Sequence, residues 1–198
     1  MNYSFFALIS RMRNITRWSL MRNNIKENVQ EHSHMVAVLA HALAVIRRDV
    51  LSLDADPDRA AAMALFHDAS EIFTGDMPTP VKYFDPDIMT AYKRVESVAS
   101  LKLLSSLPPE MKTSYKALLS PEAADDLIHI LKAADKLAAY IKCLEELKSG
   151  NNEFRLAAEQ SRERLLALDM PEVEYFMERF IPAFELTLDE MSFDSGQE

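Results

Sequence analysis

Apolar residues in this chain recur at helical spacing, and the strand-like alternation of β-branched residues is absent. Val36, Leu39, Ala40 and Leu43 fall on one face and predict a helix over 29–48. A first helix is expected over 3–15. Asp56-Pro57 has the form of an N-cap followed by proline at the first helical position, opening a helix that runs to about Asp68 or beyond. Thr74-Gly75-Asp76-Met77-Pro78-Thr79-Pro80 reads as a stiff, non-helical loop. Asp85-Pro86 opens another helix, to about Ser106, and Pro108-Pro109 ends that stretch. A short helix over 110–119 and a long one from about Pro121 to Lys148 follow, with Gly150 as the natural stop. The last helices are expected over 152–168 and 171–191, and the tail from Phe193 should fray.

Ala, Leu, Met, Glu and Lys dominate and only three glycines occur, which reinforces helix throughout. With 198 residues, 48% of them hydrophobic, and no repeat or flexible linker, one all-α domain spanning 1–198 is the simplest organisation. A net charge of −9 leaves no basic excess for a nucleic-acid polymer, although one local arginine can serve a small phosphorylated ligand. The single cysteine, Cys143, permits no internal disulfide and fits a reducing, cytoplasmic compartment. The run Phe5-Phe6-Ala7-Leu8-Ile9 is too short for a signal segment and meets Arg11 and Arg13 at once, and no stretch is long enough to span a bilayer.

The chemistry gathers in four residues expected on helices: His32, the adjacent His67 and Asp68, and Asp135. Two imidazoles and two carboxylates suit a divalent cation. Of the three histidines on the second helix, His34 and His41 share a face and His32 points roughly opposite, so the three cannot hold one ion. Glu31 and Asn28 make a polar helix start beside His32, which is therefore the candidate; His34, His41 and His129 read as solvated. His67-Asp68 ends the apolar run Ala60–Phe66, where a buried carboxylate must be paired or hold a metal; an Asp–His hydrogen bond at a helix end is the alternative. Asp135 sits in a small, apolar helical stretch, with a salt bridge to Lys132 or to a neighbouring helix as its alternative. Glu71 follows His67 by four positions and shares its face if the helix continues. A metal beside a free carboxylate is the minimum apparatus of metal-assisted hydrolysis.

His32, His67-Asp68 and Asp135 in this order resemble the H…HD…D signature of the HD-domain metal phosphohydrolases. Thr16-Arg17-Trp18, Glu27–Ser33, Phe66–Glu71, Thr74–Phe84 and Cys143–Glu146 are similar to the bacterial 5′-deoxynucleotidases of that superfamily, over about Phe5 to Asp189. The resemblance implies an all-helical HD-type bundle, a homodimer, and removal of phosphate from deoxynucleoside 5′-monophosphates with one divalent transition metal: Co, Mn, Fe or Zn. It implies Glu71 as the group that handles the proton, Arg17 as the phosphate contact, Trp18 facing the sugar, and Asp76, Met77, Pro78 and Thr79 holding the nucleoside end. Other HD phosphohydrolases, acting on ribonucleotides, triphosphates or cyclic dinucleotides, and a silent nucleotide sensor are the competing readings. No further histidine lies near Asp135; His129 is about 240° away around the helix. A second metal is therefore not expected.

Overall fold

The computed structural model describes residues 2–82, 84–121 and 126–191, all of whose regular elements are helical. They are α1 (Phe5–Ile9), α2 (Val29–Val45), α3 (Pro57–Phe66), α4 (Glu71–Thr74), α5 (Thr79–Lys82), α6 (Pro86–Ser105), α7 (Lys112–Leu119), α8 (Leu127–Lys148), α9 (Arg155–Leu166) and α10 (Pro171–Arg179). The all-α expectation is met. The expected tail from Phe193 lies outside the described residues.

α2 is the central strut. It packs on α3 and α8, and α8 in turn packs on α9. The main core gathers Val36, Leu39, Ala40 and Leu43 of α2 with Met63 of α3, Leu137 and Ile141 of α8, and Phe154, Leu165 and Phe176 beyond. A smaller cluster joins Phe5 and Met12 to Val29, Ala69, Leu103, Leu107 and Leu119. It ties the start of the chain to the far end of α6 and to α7.

Local chemistry sets the helix boundaries. Asn28 caps α2 by accepting from the Gln30 and Glu31 backbone N–H groups, both at 3.0 Å, and Glu31 returns the bond to the Asn28 N–H at 3.1 Å. That capping box holds His32 in the first turn. Asp56 accepts from the Arg59 N–H at 3.0 Å and Pro57 follows it, as the sequence indicated. Asp85 likewise caps α6 through the Asp87 N–H at 2.7 Å.

Several boundaries differ from expectation. The first helix is α-helical only to Ile9 and continues as a 3₁₀ turn to Asn14. α2 widens into a π turn over Ile46–Val50. α3 stops at Phe66, and the chain passes through 3₁₀-type bonds (His67 N–H to Ala64 O, 3.4 Å; Glu71 N–H to Asp68 O, 3.0 Å) before α4 begins. His67 and Asp68 thus lie in a tightened turn. Helix resumes at Thr79, inside the expected loop, leaving only 75–78 without regular structure. The long helix is described from Leu127, with 122–125 outside the described residues. The final expected helix stops at Arg179, and Pro182 falls in a separate 3₁₀ turn over Ile181–Glu185.

α8 ends as its glycine suggested. The Gly150 N–H bonds to Leu147 O at 2.9 Å and the Asn151 N–H to Glu146 O at 2.9 Å, with Gly150 at φ +86°. A Cβ on Gly150 meets nothing within 4 Å, so the cost of substitution is conformational. Gly150→Ala should lower stability by about 1–2 kcal/mol. Chemical denaturation checks this, with an unchanged midpoint counting against the helix-stop role.

Candidate metal centre

Three helices of the main core deliver the candidate ligand residues: α2 brings His32, the turn after α3 brings His67 and Asp68, and α8 brings Asp135. One ligand atom each from His32, His67 and Asp135 lies within 4.8 Å of the others. Asp68 Oδ2 stands 3.1 Å from His67 Nε2 and 3.6 Å from His32 Nε2. Asp135 Oδ1 stands 3.0 Å from His32 Nε2 and 4.0 Å from His67 Nε2. The four residues chosen from sequence therefore converge. His34, His41 and His129 are exposed, as read, and Lys132 is exposed while Asp135 is engaged with His32.

The donor set fits a cation. His67 Nδ1 donates to Ala64 O at 2.7 Å, which fixes the tautomer and leaves the Nε2 lone pair toward the carboxylates. That buried Nε2 has no aligned hydrogen-bond partner despite its closeness to Asp68. His32 is buried, and its other ring nitrogen, Nδ1, is also without a partner. Burial works against an imidazolium at His67, yet Asp68 and Asp135 outweigh it and raise the pKa to about 9. Burial likewise works against an ionised Asp68, but His67, His32 and Arg17 hold its carboxyl well below the usual range. The cluster demands positive charge, from a proton or from a metal. The Asp135 side chain is 46% exposed, so the cluster opens to solvent on that side.

The condition for Glu71 to share a helical face with His67, that α3 continue so far, is not met; Glu71 opens α4. It nevertheless lies in the field of the same groups. Burial first, then Asp68 and Asp76, push its carboxyl far above the ordinary value, and its Oε2 is buried without a partner. Burial also raises the Asp76 carboxyl, which accepts from the Trp18 backbone N–H.

Arg17 reaches the cluster from the segment before α2. Its Nη1 lies 3.3 Å from Asp68 Oδ2 and its Nε donates to Glu27 Oε2 at 3.1 Å. The same Glu27 oxygen accepts from Trp18 Nε1 at 3.0 Å. The Trp18 ring packs on Phe154, with centroids 5.3 Å apart, and its backbone sits at φ +59°. Core packing, the ordinary role of a lone tryptophan, is thus part of what Trp18 does. Met77 and Pro78 are half-buried in the 75–78 stretch and Thr79 is exposed at the start of α5. Tyr92 of α6 steadies that stretch by donating to Gly75 O at 3.3 Å.

Two structural carboxylates escaped the sequence reading. Glu27 bridges Arg17 and Trp18, and no periodicity marks it. Glu146 is fully buried on α8, where its i,i+4 spacing from Lys142 within an apolar stretch was the available signal. It accepts from the Asn24 and Ile25 backbone N–H groups at 3.0 and 2.9 Å and from Asn151 Nδ2 at 2.8 Å, while Lys142 donates to Ile25 O. This pair pins the segment between Arg17 and Glu27. A cavity of about 1160 Å³ lies elsewhere, beside the Arg47–Glu172 ion pair, and none of the four ligand residues lines it.

An all-helical chain carrying this His/Asp cluster has the architecture of the HD-domain phosphohydrolases. A solved HD-domain phosphohydrolase from Listeria innocua is 25% identical, with a TM-score of 0.79, over 91% of this chain and 88% of that one. A cyanophage S-2L HD phosphohydrolase, solved with dA and one catalytic Zn²⁺, shares the fold at 21% identity and a TM-score of 0.61, over 92% of this chain and 99% of that one. A 5′-deoxynucleotidase of Photorhabdus temperata is 48% identical over 96% of this chain and 97% of its own length. A 5′-deoxynucleotidase of Vibrio parahaemolyticus is 48% identical over 95% and 97%. The family model for 5′-deoxynucleotidase YfbR-like proteins matches residues 4–184, and the chain belongs to that family.

Glu146 sets a pH dependence. Burial alone raises its carboxyl, but donors from Lys142, Asn151, Asn24 and Ile25 outweigh burial and lower it from 4.5 to about 2. Its stabilisation is therefore complete above pH 4.5 and lost as pH falls through about 2. Glu146→Gln should lose about 3–5 kcal/mol near neutrality, because Lys142 is left buried beside a neutral partner. It should also flatten the acid limb of the stability–pH curve. Denaturation at stepped pH measures both, and an acid limb identical to that of the parent protein would remove Glu146 from this role.

Proposed function

We infer that this protein is a metal-dependent 5′-deoxynucleotidase, hydrolysing deoxynucleoside 5′-monophosphates to deoxynucleoside and phosphate. The observation that carries the hydrolytic chemistry is the convergence of His32, His67, Asp68 and Asp135 beside a carboxylate, Glu71, with a free oxygen. Near full-length similarity to 5′-deoxynucleotidases supports the substrate class.

On this reading His32, His67, Asp68 and Asp135 hold one divalent transition metal; Co, Mn, Fe and Zn all suit the donors. Such an ion supplies an acidified water and neutralises charge on the phosphoryl group. Arg17, already 3.3 Å from Asp68, offers its fork of donors to the phosphate. Glu71 takes a proton from the water that attacks phosphorus and delivers it to the 5′ oxygen as the P–O5′ bond breaks. Positive charge on the cluster offsets the fields of Asp68 and Asp76, which raise the Glu71 carboxyl after burial. Asp76 is already engaged by the Trp18 N–H, which supports Glu71 rather than Asp76 as the proton-handling group. Asp76 accepts from a sugar hydroxyl, Met77, Pro78 and Thr79 hold the nucleoside end, and Trp18 walls off the 2′ carbon.

The whole chain acts as a single domain and as a homodimer in the cytoplasm. The compartment is supported by the single cysteine, Cys143, which is free. No described helix is long and apolar enough to cross a membrane. Phosphate release across ribo- and deoxyribonucleotides with several metals tests the assignment; equal turnover of ribonucleotides or triphosphates would point to another HD phosphohydrolase.

His67→Ala or Asp68→Ala should remove metal and activity together, as read by elemental analysis and phosphate release. Glu71→Ala should keep the metal and lose on the order of 10²–10⁴-fold in turnover. Metal lost with the Glu71 side chain would make it a ligand instead.

Trp18→Ala should narrow the preference for dAMP over AMP, mainly by admitting AMP, since apolar exclusion of one hydroxyl is worth about 10²-fold. Because the ring also packs on Phe154, the ratio of kcat/KM values is measured on folded protein. A ratio equal to the parent's would leave Trp18 with packing alone.

A further inference from the structure

Glu27 stands where two side chains assigned to the substrate meet. Its Oε2 accepts from Arg17 Nε at 3.1 Å and from Trp18 Nε1 at 3.0 Å. One oxygen thus holds both the phosphate contact and the wall against the sugar. Backbone sets this meeting. The Arg17 N–H donates to Glu27 O at 3.0 Å and the Val29 N–H to Ile15 O at 2.9 Å, on either side of the Thr16–Asn28 bridge. The return of the chain therefore lays Glu27 opposite Arg17, and the Glu27 side chain is only 15% exposed.

A planar guanidinium is oriented once two of its nitrogens are fixed. Glu27 fixes Arg17 Nε, and Asp68 fixes Nη1 at 3.3 Å. Nη2 bonds to neither carboxylate, and the direction of its donors follows from the other two nitrogens. Trp18 is likewise held twice, by the Glu27 bond to its N–H and by packing on Phe154. Without Glu27, Arg17 keeps only Asp68, which draws it toward the cluster. The indole then keeps its packing and loses the bond that sets its rotation.

We propose that Glu27 is a positioning residue that sets the Arg17 guanidinium and the Trp18 indole together, so that turnover and the preference for deoxyribose depend on one carboxylate oxygen. The proposal rests on the reading of the protein as a 5′-deoxynucleotidase and adds the group that couples the two ends of its substrate. Bonds to an ionised carboxylate are the stronger kind and suit this task. The competing account is a purely structural tie, but the segment has other ties. The Asn24 and Ile25 N–H bonds to Glu146, the Thr16–Asn28 bridge and the Asn28 capping box do not use the Glu27 side chain. Its loss should therefore leave folded protein.

The test compares the full chain, with divalent metal supplied, to Glu27→Ala and Glu27→Gln, each checked for folding by circular dichroism. Initial rates on dAMP and AMP give kcat and KM. Glu27→Ala should lose on the order of 10²-fold in kcat on dAMP, the cost of a misplaced contact. Its dAMP-to-AMP ratio of kcat/KM should shrink as well. Glu27→Gln keeps an oxygen for both donors and should recover much of that ratio. Trp18 is the only tryptophan, so its emission reads the bond directly: Glu27→Ala should shift it, and Glu27→Gln should shift it less. Trp18→Phe keeps a ring against Phe154 but has no N–H, so adding Glu27→Ala to it should leave the ratio where Trp18→Phe alone puts it. A parent protein that releases no phosphate from dAMP overturns the nucleotidase reading and the proposal together. An active parent whose Glu27→Ala variant keeps the parent's kcat or ratio, or narrows the ratio further in the Trp18→Phe background, overturns the Glu27 role alone. So does a Glu27→Gln variant no closer to the parent than Glu27→Ala. A Glu27→Ala variant that does not fold makes the carboxylate a structural tie and overturns it too.

Discussion

Asp68 and Asp135 are held by separate parts of the fold, yet both lean on the same two imidazoles. Much of the structure around them can be understood as a response to that demand for positive charge. His32 and His67 stand between the two aspartates, and Arg17 reaches in from outside the main bundle to contact Asp68. Each of the four residues is anchored by its local structure: His32 in a capped first turn, Asp135 amid the buried alanines and leucine of α8, and the His67-Asp68 pair at a helix end fixed by the His67 bond to Ala64. Rigid placement matters because the mutual field of such charges changes steeply with distance.

A second level of support keeps the non-helical segment before α2 in register. It is clamped at its ends by the antiparallel Thr16–Asn28 bridge, midway by Glu146 and Lys142, and internally by Glu27. The segment gains definition without secondary structure of its own. Two fully buried carboxylates, Glu146 and Glu172, are kept by the fold outside the cluster, each with a cationic partner, Lys142 and Arg47. Buried charge here is the means by which irregular chain is fastened to helices.

The helices were legible because their signals are local. Asn28, Asp56 and Asp85 are caps, Gly150 is a stop, and Val36, Leu39, Ala40 and Leu43 are a buried face, and each expresses its preference within a few residues. The four residues of the cluster were legible because a carboxylate or imidazole among small apolar neighbours is out of place without a partner. What sequence misjudged was continuity. The chain from Phe66 to Glu71 contains no proline or glycine, so nothing in it announces that α3 stops; 3₁₀ bonding decided it. Likewise helix resumes at Thr79 although proline follows, since proline is tolerated in a first turn. Glu27 was invisible for another reason: its partners, the side chains of Arg17 and Trp18, are brought to it by the return of the chain between Thr16 and Asn28, and no spacing rule encodes such a meeting.

The left-handed backbone at Trp18 costs of order 1–2 kcal/mol for a residue of that size. That strain is offset by the Glu27 bond and the packing on Phe154, and it gives the chain a hard corner. On one side of the corner Arg17 points to Asp68; on the other the Trp18 N–H points to Asp76. Both contacts therefore hang on one backbone conformation: a change of φ at Trp18 would turn Arg17 from Asp68 and the Trp18 N–H from Asp76 at a stroke.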